Sequence, residues 1–148
     1  MVVRVGLGVR DKGFGVIVIF NLKVGLTGEV KEMVTPDNTA KKYGSGSIDV
    51  YATPAMIGLM EKASLSSVDA LLPEGFSTVG IKLDVKHLAA TPIGMEVTAK
   101  AQLVEVDGKR LKFTVEAFDG KDKIGEGEHE RFIVELVKFM ARVENKKA

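Results

Sequence analysis

Residues 103–121 read LVEVDGKRLKFTVEAFDGK, and this stretch decides the fold. It contains the dipeptide Asp-Gly twice, at 107–108 and 119–120, between runs in which apolar and polar residues alternate. Asp-Gly in this setting is typical of a β-hairpin with a type I′ turn, and the alternation is typical of strands with one apolar face. Two hairpins in succession predict three antiparallel strands.

The alternation continues on both sides of this stretch. The first strand is predicted over 95–103, the second over 111–117, and the third from 123 to about 139. Gly125 and Gly127 lie in the third strand, where glycine predicts a bulge or the close approach of another segment.

Two more strands are predicted upstream of the hairpins. Residues 78–87 alternate strictly, and we expect one face to carry Val79, Ile81, Leu83, Val85 and His87. Residues 24–34 alternate less regularly before a Thr-Pro-Asp-Asn break.

Between these two strands, the chain predicts one long helix. Thr53 offers an N-cap hydroxyl, Pro54 suits the first helical position, and Pro73 with Gly75 stops the run. Apolar residues occupy so wide an arc of this segment that the helix should be largely buried. The predicted architecture is therefore α+β, an antiparallel sheet wrapped around one long central helix.

Composition narrows the possible functions. The 148 residues suit a single domain, and 21 basic against 20 acidic residues give a net charge of +1, so a nucleic-acid partner is not expected. The absence of cysteine rules out a disulfide scaffold or thiolate metal site. The apolar run at 16–20 is too short to span a membrane, so we expect a cytoplasmic location. Residues 1–21, rich in Gly and Val, are interpreted as an extension of unknown role ahead of one domain over 22–148.

Three side chains are candidates for chemistry. His87 ends a row of apolar side chains, either as a core histidine satisfied by one carbonyl or as a base. Thr53 is either a helix cap or a hydroxyl placed where the helix dipole favours negative charge. Glu61 is either a solvated carboxylate or a reactive group on a buried helix.

The predicted helix keeps two of these candidates apart. Glu61 lies about 12 Å along the helix axis from Thr53, so the two are not expected to touch within one chain. Two helices that meet antiparallel in a dimer could make a composite site. The other histidine, His129, has Glu128, Glu130 and Arg131 beside it and is interpreted as part of a surface ion-pair cluster; no metal site is expected.

Several spaced motifs resemble one known family. They are YATPAMIGLME at 51–61, Gly80, HLAATPIG at 87–94, VDGKR at 106–110, FDG at 118–120 and GEHER at 127–131. In this order and over about residues 22–143, they resemble the fluoroacetyl-CoA thioesterase family of hotdog-fold proteins.

The resemblance implies fold, activity and site residues. It implies a hotdog dimer, or a pair of such dimers, that hydrolyses a short-chain acyl-CoA to free acid and CoA without a cofactor. By motif, the reactive groups are Thr53, Glu61 and His87, and the substrate-binding residues are Gly80 and Arg131. The alternative is a non-catalytic acyl-CoA or small-ligand binding protein of the same fold.

The resemblance fails at one place. The family's aromatic lid residues precede the helix, and the corresponding positions here are Gly44 and Ser47. We therefore do not predict selectivity for a fluorinated acyl group.

Overall fold

A five-stranded antiparallel sheet forms the body of the protein. The computed structural model describes the backbone of residues 2–10 and 13–148 and the side chains of residue 20 and residues 22–148. The strands of this sheet are β3 (Thr27–Met33), β4 (Phe76–His87), β5 (Glu96–Asp107), β6 (Arg110–Phe118) and β7 (Lys123–Glu135). Their order across the sheet is β3-β5-β6-β7-β4, which leaves β3 and β4 at the two edges.

Ahead of this sheet, the predicted extension forms a hairpin. Strands β1 (Val2–Arg10) and β2 (Gly13–Asn21) pair antiparallel with each other in a separate two-stranded sheet. The ring of Phe20 packs edge-on against that of Phe76 at a centroid separation of 5.2 Å. The other side chains of 1–21 lie outside the described residues.

The long helix covers the inner face of the sheet, as predicted. A short helix, α1 (Ala40–Tyr43), precedes the long α2 (Thr53–Val68), and a 3-10 turn at Asp69–Leu71 follows it. Half of α2 is buried, including the apolar residues Ala55, Met56, Leu59, Met60, Ala63 and Val68. They meet the inward-facing side chains of β5 and β6, Val97, Ala99, Ala101, Leu103, Leu111, Phe113, Val115 and Ala117.

The two glycines of the third predicted strand allow close approach. A Cβ on Gly125 would lie 2.5 Å from Met56 Sδ of α2, and one on Gly127 would collide with the backbone of β4. The register shifts lie elsewhere, at Gly80/Lys82, Leu103/Glu105 and Ala117/Phe118.

The predicted face of β4 was wrong in its first half. Gly80 pairs with Arg131 and Lys82 with Glu130, so Ile81 is an extra residue that reverses the alternation. Leu83, Val85 and His87 share the inner face with Thr78 and Gly80, whereas Val79 lies on the outer face opposite Phe132.

The hairpins form where predicted, but neither turn is of type I′ and the last strand ends early. Gly108 has φ of 60° and Lys109 does not have a positive φ, a pattern of type II′. In the second hairpin, Phe118 pairs with Lys123, so the loop has four residues, and Gly120 does not have a positive φ. Strand β7 ends at Glu135, and helix α3 (Leu136–Glu144) replaces the strand expected to reach residue 139. Its apolar residues recur at helical spacing, at 136, 139, 140 and 143.

Among the described residues, no helix is long and apolar enough to cross a membrane.

Candidate active site

Two predicted residues, Thr53 and His87, meet in the structure. Thr53 Oγ1 lies 2.8 Å from His87 Nδ1. Thr53 is the first residue of α2, and His87 is the last residue of β4. The predicted capping role was wrong, because Ala52 is the N-cap and no side chain caps the helix. The Thr53 hydroxyl is therefore available to the imidazole, at a helix end that favours negative charge.

The His87 ring is half-buried and incompletely bonded. Among the described residues, nothing forms a hydrogen bond with its buried Nε2. Burial lowers the pKa of His87, and the nearby backbone carbonyl of Ala89 opposes this in part. The lowered pKa favours a neutral ring at pH 7. A neutral imidazole whose Nδ1 accepts from a hydroxyl is a general base in hydrogen-bond reach of a nucleophile.

A cavity of about 430 Å³ opens beside this pair. Among the described residues, no Asp, Glu, Lys or Arg lines it. Aliphatic side chains supply much of its wall, namely those of Ala40, Ile48, Val50, Leu88, Ala89 and Ala90. Ser45 and Gly46 complete one rim, whereas Gly44, which ends α1 with φ of 73°, and Ser47 are not part of the lining. The cavity therefore suits a small uncharged group.

The remaining predicted residues, Glu61, Gly80 and Arg131, form a second cluster. Arg131 Nη1 lies 3.8 Å from Glu61 Oε2. A Cβ added to Gly80 would come within 2.8 Å of the same carboxylate oxygen and 3.6 Å of Arg131 Nη1. Glycine at this position thus leaves the space that the carboxylate occupies.

Arg131 is only 6% exposed, so its charge needs many partners. Its Nε donates to Thr78 Oγ1 at 2.7 Å and its Nη2 to the Thr78 carbonyl at 2.9 Å. Its Nη1 lies 3.1 Å from His129 Nε2. Burial lowers the pKa of Arg131, and the carboxylates of Glu61 and Asp69 oppose the shift.

The interpretation of His129 as part of a surface cluster was wrong. Its side chain is fully buried on the inner face of β7, and its Nδ1 lies 2.8 Å from the Lys82 carbonyl. The flanking residue Glu130 points to the outer face, where it pairs with Arg110 and Lys82. A usable signal was present, because His129 has the same parity as the buried Ile133.

The two clusters are separate within one chain. Gly80 and His87 are seven residues apart on the same strand, a distance of about 20 Å. The structure thus pairs Thr53 with His87, and Glu61 with Gly80 and Arg131, but it does not bring all five residues together. Within the part of the chain that the structure describes, no cluster of His, Asp and Glu could hold a metal ion.

Comparison with known proteins gives the family. Residues 34–136 match the family model for the fluoroacetyl-CoA-specific thioesterase FlK. The fluoroacetyl-CoA thioesterase of Streptantibioticus cattleyicolor is 45% identical over 98 residues, which are 66% of this chain and 70% of that protein.

Solved structures agree in fold. A variant of the fluoroacetyl-CoA thioesterase FlK in complex with acetyl-CoA is 37% identical with a TM-score of 0.81, over 86% of this chain and 100% of that chain. A thioesterase superfamily member from Thermus thermophilus is 30% identical with a TM-score of 0.80, over 87% of this chain and 96% of that chain. The predicted hotdog fold is therefore confirmed, and the chain belongs to the fluoroacetyl-CoA-specific thioesterase family.

Proposed function

We propose that this protein hydrolyses short-chain acyl-CoA thioesters to the free acid and CoA. The single observation that carries the proposal is the 2.8 Å contact between Thr53 Oγ1 and His87 Nδ1 beside an uncharged cavity. Membership in a thioesterase family supports the same reaction class, a thioester hydrolase acting on acyl-CoA.

The first route uses Thr53 as the nucleophile. Its Oγ1 attacks the thioester carbonyl carbon while His87 Nδ1 takes the hydroxyl proton. The carbonyl oxygen becomes an oxyanion, and the amino end of α2 is oriented to stabilise negative charge there. The C–S bond then breaks, the CoA thiolate receives the proton from His87, and water hydrolyses the acyl-threonine ester.

Two other routes use the same groups. In one, His87 deprotonates a water that attacks the thioester directly, and Glu61 orients it. In the other, the Glu61 carboxylate attacks the thioester carbonyl carbon, and water then opens the mixed anhydride. In both routes, the C–S bond breaks and CoA leaves as the thiolate. Both of these routes need Glu61 near the Thr53–His87 pair.

A homodimer would bring the two clusters together. Strand β4 is an edge strand, and its inner-face Leu83 is 40% exposed in the isolated chain. If two copies of β4 pair antiparallel about Asp84, and Ile81 is again the extra residue, Gly80 of one copy lies opposite His87 of the other, with both residues on the inner face. That register would bring Glu61 and Arg131 of one copy close to Thr53 and His87 of the other copy. It therefore supports a composite active site. Sedimentation should then give a dimer, or a pair of dimers, and the specific activity should fall when dilution yields monomers.

The cavity supports an uncharged aliphatic acyl group as the substrate class. A carboxylate-ended acyl group would lose its hydration there with no cation to pair with it. We do not extend the fluoroacetyl preference of the Streptantibioticus cattleyicolor protein to this chain, because Gly44 and Ser47 provide no aromatic cover. The cytoplasmic location remains a prediction from composition.

A thiol-release assay tests the proposal. The wild-type protein should release CoA from acetyl-, propionyl- and butyryl-CoA, and much more slowly from malonyl-CoA. His87→Ala should lose nearly all of this activity, whereas Lys86→Ala, an exposed neighbour on the opposite face, should keep it. A non-catalytic binding protein would instead raise its melting temperature with each acyl-CoA and release no thiol.

A further inference from the structure

His129 is a fully buried polar residue that the proposed reaction does not use. It lies on β7, between β6 and the edge strand β4, and its ring is 6.3 Å from that of Phe113 on β6, measured between centroids. Both of its ring nitrogens nevertheless have a partner, the Lys82 carbonyl and the Arg131 guanidinium. A buried imidazole with a hydrogen-bond partner at each ring nitrogen suggests a role other than filling the core.

The two partners determine the protonation of the ring. A carbonyl oxygen can only accept a hydrogen bond, so His129 Nδ1 carries the proton that points to Lys82. A guanidinium can only donate, so Nε2 must offer a lone pair to Arg131 Nη1. His129 is therefore a neutral imidazole in one tautomer.

The charges around the ring agree with this assignment. Burial lowers the pKa of His129 and Arg131 lowers it further, while the Lys82 carbonyl, Glu61 and Glu130 oppose the shift. Glu61 belongs to α2, Arg131 and Glu130 to β7, and Lys82 to β4. Protonation would place a second positive charge next to the guanidinium and remove its acceptor.

The Arg131 guanidinium makes three hydrogen bonds within the protein, and its remaining contact is with Glu61. Thr78 receives Nε and Nη2, and His129 receives one N–H of Nη1. The opposite side of Nη1 faces the Glu61 carboxylate at 3.8 Å, across the space that Gly80 leaves free. Without the His129 acceptor, the guanidinium could rotate about its bonds to Thr78 and move away from Glu61.

We propose that His129 is a positioning residue, whose neutral Nε2 aims the Arg131 guanidinium at Glu61 and so sets where that carboxylate lies. The inference rests on the proposed function at one point, because it assumes that Glu61 takes part in the hydrolysis. His129 itself does not touch the substrate.

The test compares two substitutions of His129 in the otherwise unchanged protein. His129→Leu fills the space but offers no acceptor, and its kcat should fall at least about tenfold, or about 1.4 kcal/mol, with KM changed less than about threefold. His129→Gln places an amide oxygen near the Nε2 position, and it should recover most of that loss.

Ile133→Ala is the matched control. Ile133 is buried on the same strand opposite Thr78, and its truncation removes packing but no hydrogen-bonding group of the Arg131 cluster. It should lower the melting temperature at least as much as His129→Leu and leave kcat within about twofold. The proposal is overturned if folded His129→Leu keeps the wild-type kcat, if Gln gives no recovery, or if Ile133→Ala loses as much kcat.

A second measurement separates this proposal from the proposed function. If the wild-type protein releases no thiol, the proposed function has failed, and NMR then tests His129. Ring 15N shifts at pH 7 should give an unprotonated Nε2, and the Glu61 carboxylate 13C shift should change in His129→Leu. A protonated Nε2, or an unchanged Glu61 signal, would overturn the positioning role.

Discussion

The two ends of strand β4 differ in how completely their polar groups are bonded. At the His87 end, the imidazole is half-buried, contacts one hydroxyl and has a buried Nε2 without a partner among the described residues. At the Gly80 end, both ring nitrogens of the buried His129 have a partner, and the buried Arg131 makes three hydrogen bonds and faces the Glu61 carboxylate.

This difference indicates that the groups at the His87 end are reactive and that those at the Gly80 end support them. A buried nitrogen without a hydrogen bond costs about 1–3 kcal/mol, and a catalytic role, an ordered water or stored strain accounts for such a group in native proteins. A satisfied buried network instead holds its members in one arrangement. We infer that the His87 end carries out the proton transfer and that the Gly80 end keeps a carboxylate in place.

The largest effect is expected at the reactive end. Thr53→Val removes the hydroxyl but keeps the side-chain shape, and kcat should fall about 10²- to 10⁴-fold if Thr53 is the nucleophile. Thr53→Ser should retain most of the activity. Because Thr53 does not cap α2, the valine variant should be destabilised by less than about 0.5 kcal/mol. A loss of about tenfold or less would favour attack by water, and a destabilisation of about 1 kcal/mol would contradict the absence of a capping role.

The next effect is expected at the supporting end. A methyl group from Gly80→Ala would meet Glu61 Oε2 at 2.8 Å and His129 Cε1 at 3.1 Å. The carboxylate has to move, so kcat should fall at least about tenfold, and the strain should cost about 1–3 kcal/mol of unfolding free energy. Gly58→Ala on α2 is the control, because its Cβ has nothing within 4 Å, and it should stabilise the helix by up to about 1 kcal/mol. An equal kcat in the Gly80→Ala and Gly58→Ala variants would contradict a positioning role for the Gly80 end of β4.

Low pH should reduce both the stability and the activity of the protein, because it protonates the histidines at both ends of β4. The pKa values of His87 and His129 are both lowered in the folded protein, so the unfolded chain binds these protons first as the pH falls. The unfolding free energy should therefore be constant above the ordinary histidine pKa of about 6.5 and decrease below it. Likewise, kcat/KM should fall as His87 becomes protonated, with a midpoint below pH 6.5. Urea unfolding and initial rates between pH 4.5 and 8 measure the two effects, and a rate that falls already above pH 7 would contradict a lowered pKa.

The smallest effect is expected at the cavity wall. Ile48 lines the cavity and is 62% exposed, so Ile48→Ala should change the unfolding free energy by less than about 0.5 kcal/mol. Removing its side chain enlarges the space beside His87, and the ratio of kcat/KM for butyryl- over acetyl-CoA should rise about 3- to 10-fold. Val24→Ala, an exposed aliphatic position that does not line the cavity, should leave the ratio unchanged.

Several features were predictable because they depend on neighbours in the chain. Alternation and the two Asp-Gly dipeptides predicted the antiparallel strands, and the apolar segment that begins at Thr53 predicted the buried helix. The spaced motifs predicted the family, which the comparisons confirm, and they selected Thr53, Glu61, His87, Gly80 and Arg131. The roles of these five residues stay predictions.

Other features depended on contacts between distant segments. The extra residue Ile81 is visible only in the register between β4 and β7, and it moves Val79 to the outer face while Gly80 comes to lie beside Glu61. The burial of His129 depends on how Lys82 and Arg131 pack around it, although its neighbours in sequence are charged. Periodicity within a segment thus determined which helices and strands form and which of their faces are apolar. The pairing of strands and the packing of α2 on the sheet decided which polar atoms meet, because a shift of one residue in register sends every later side chain to the opposite face.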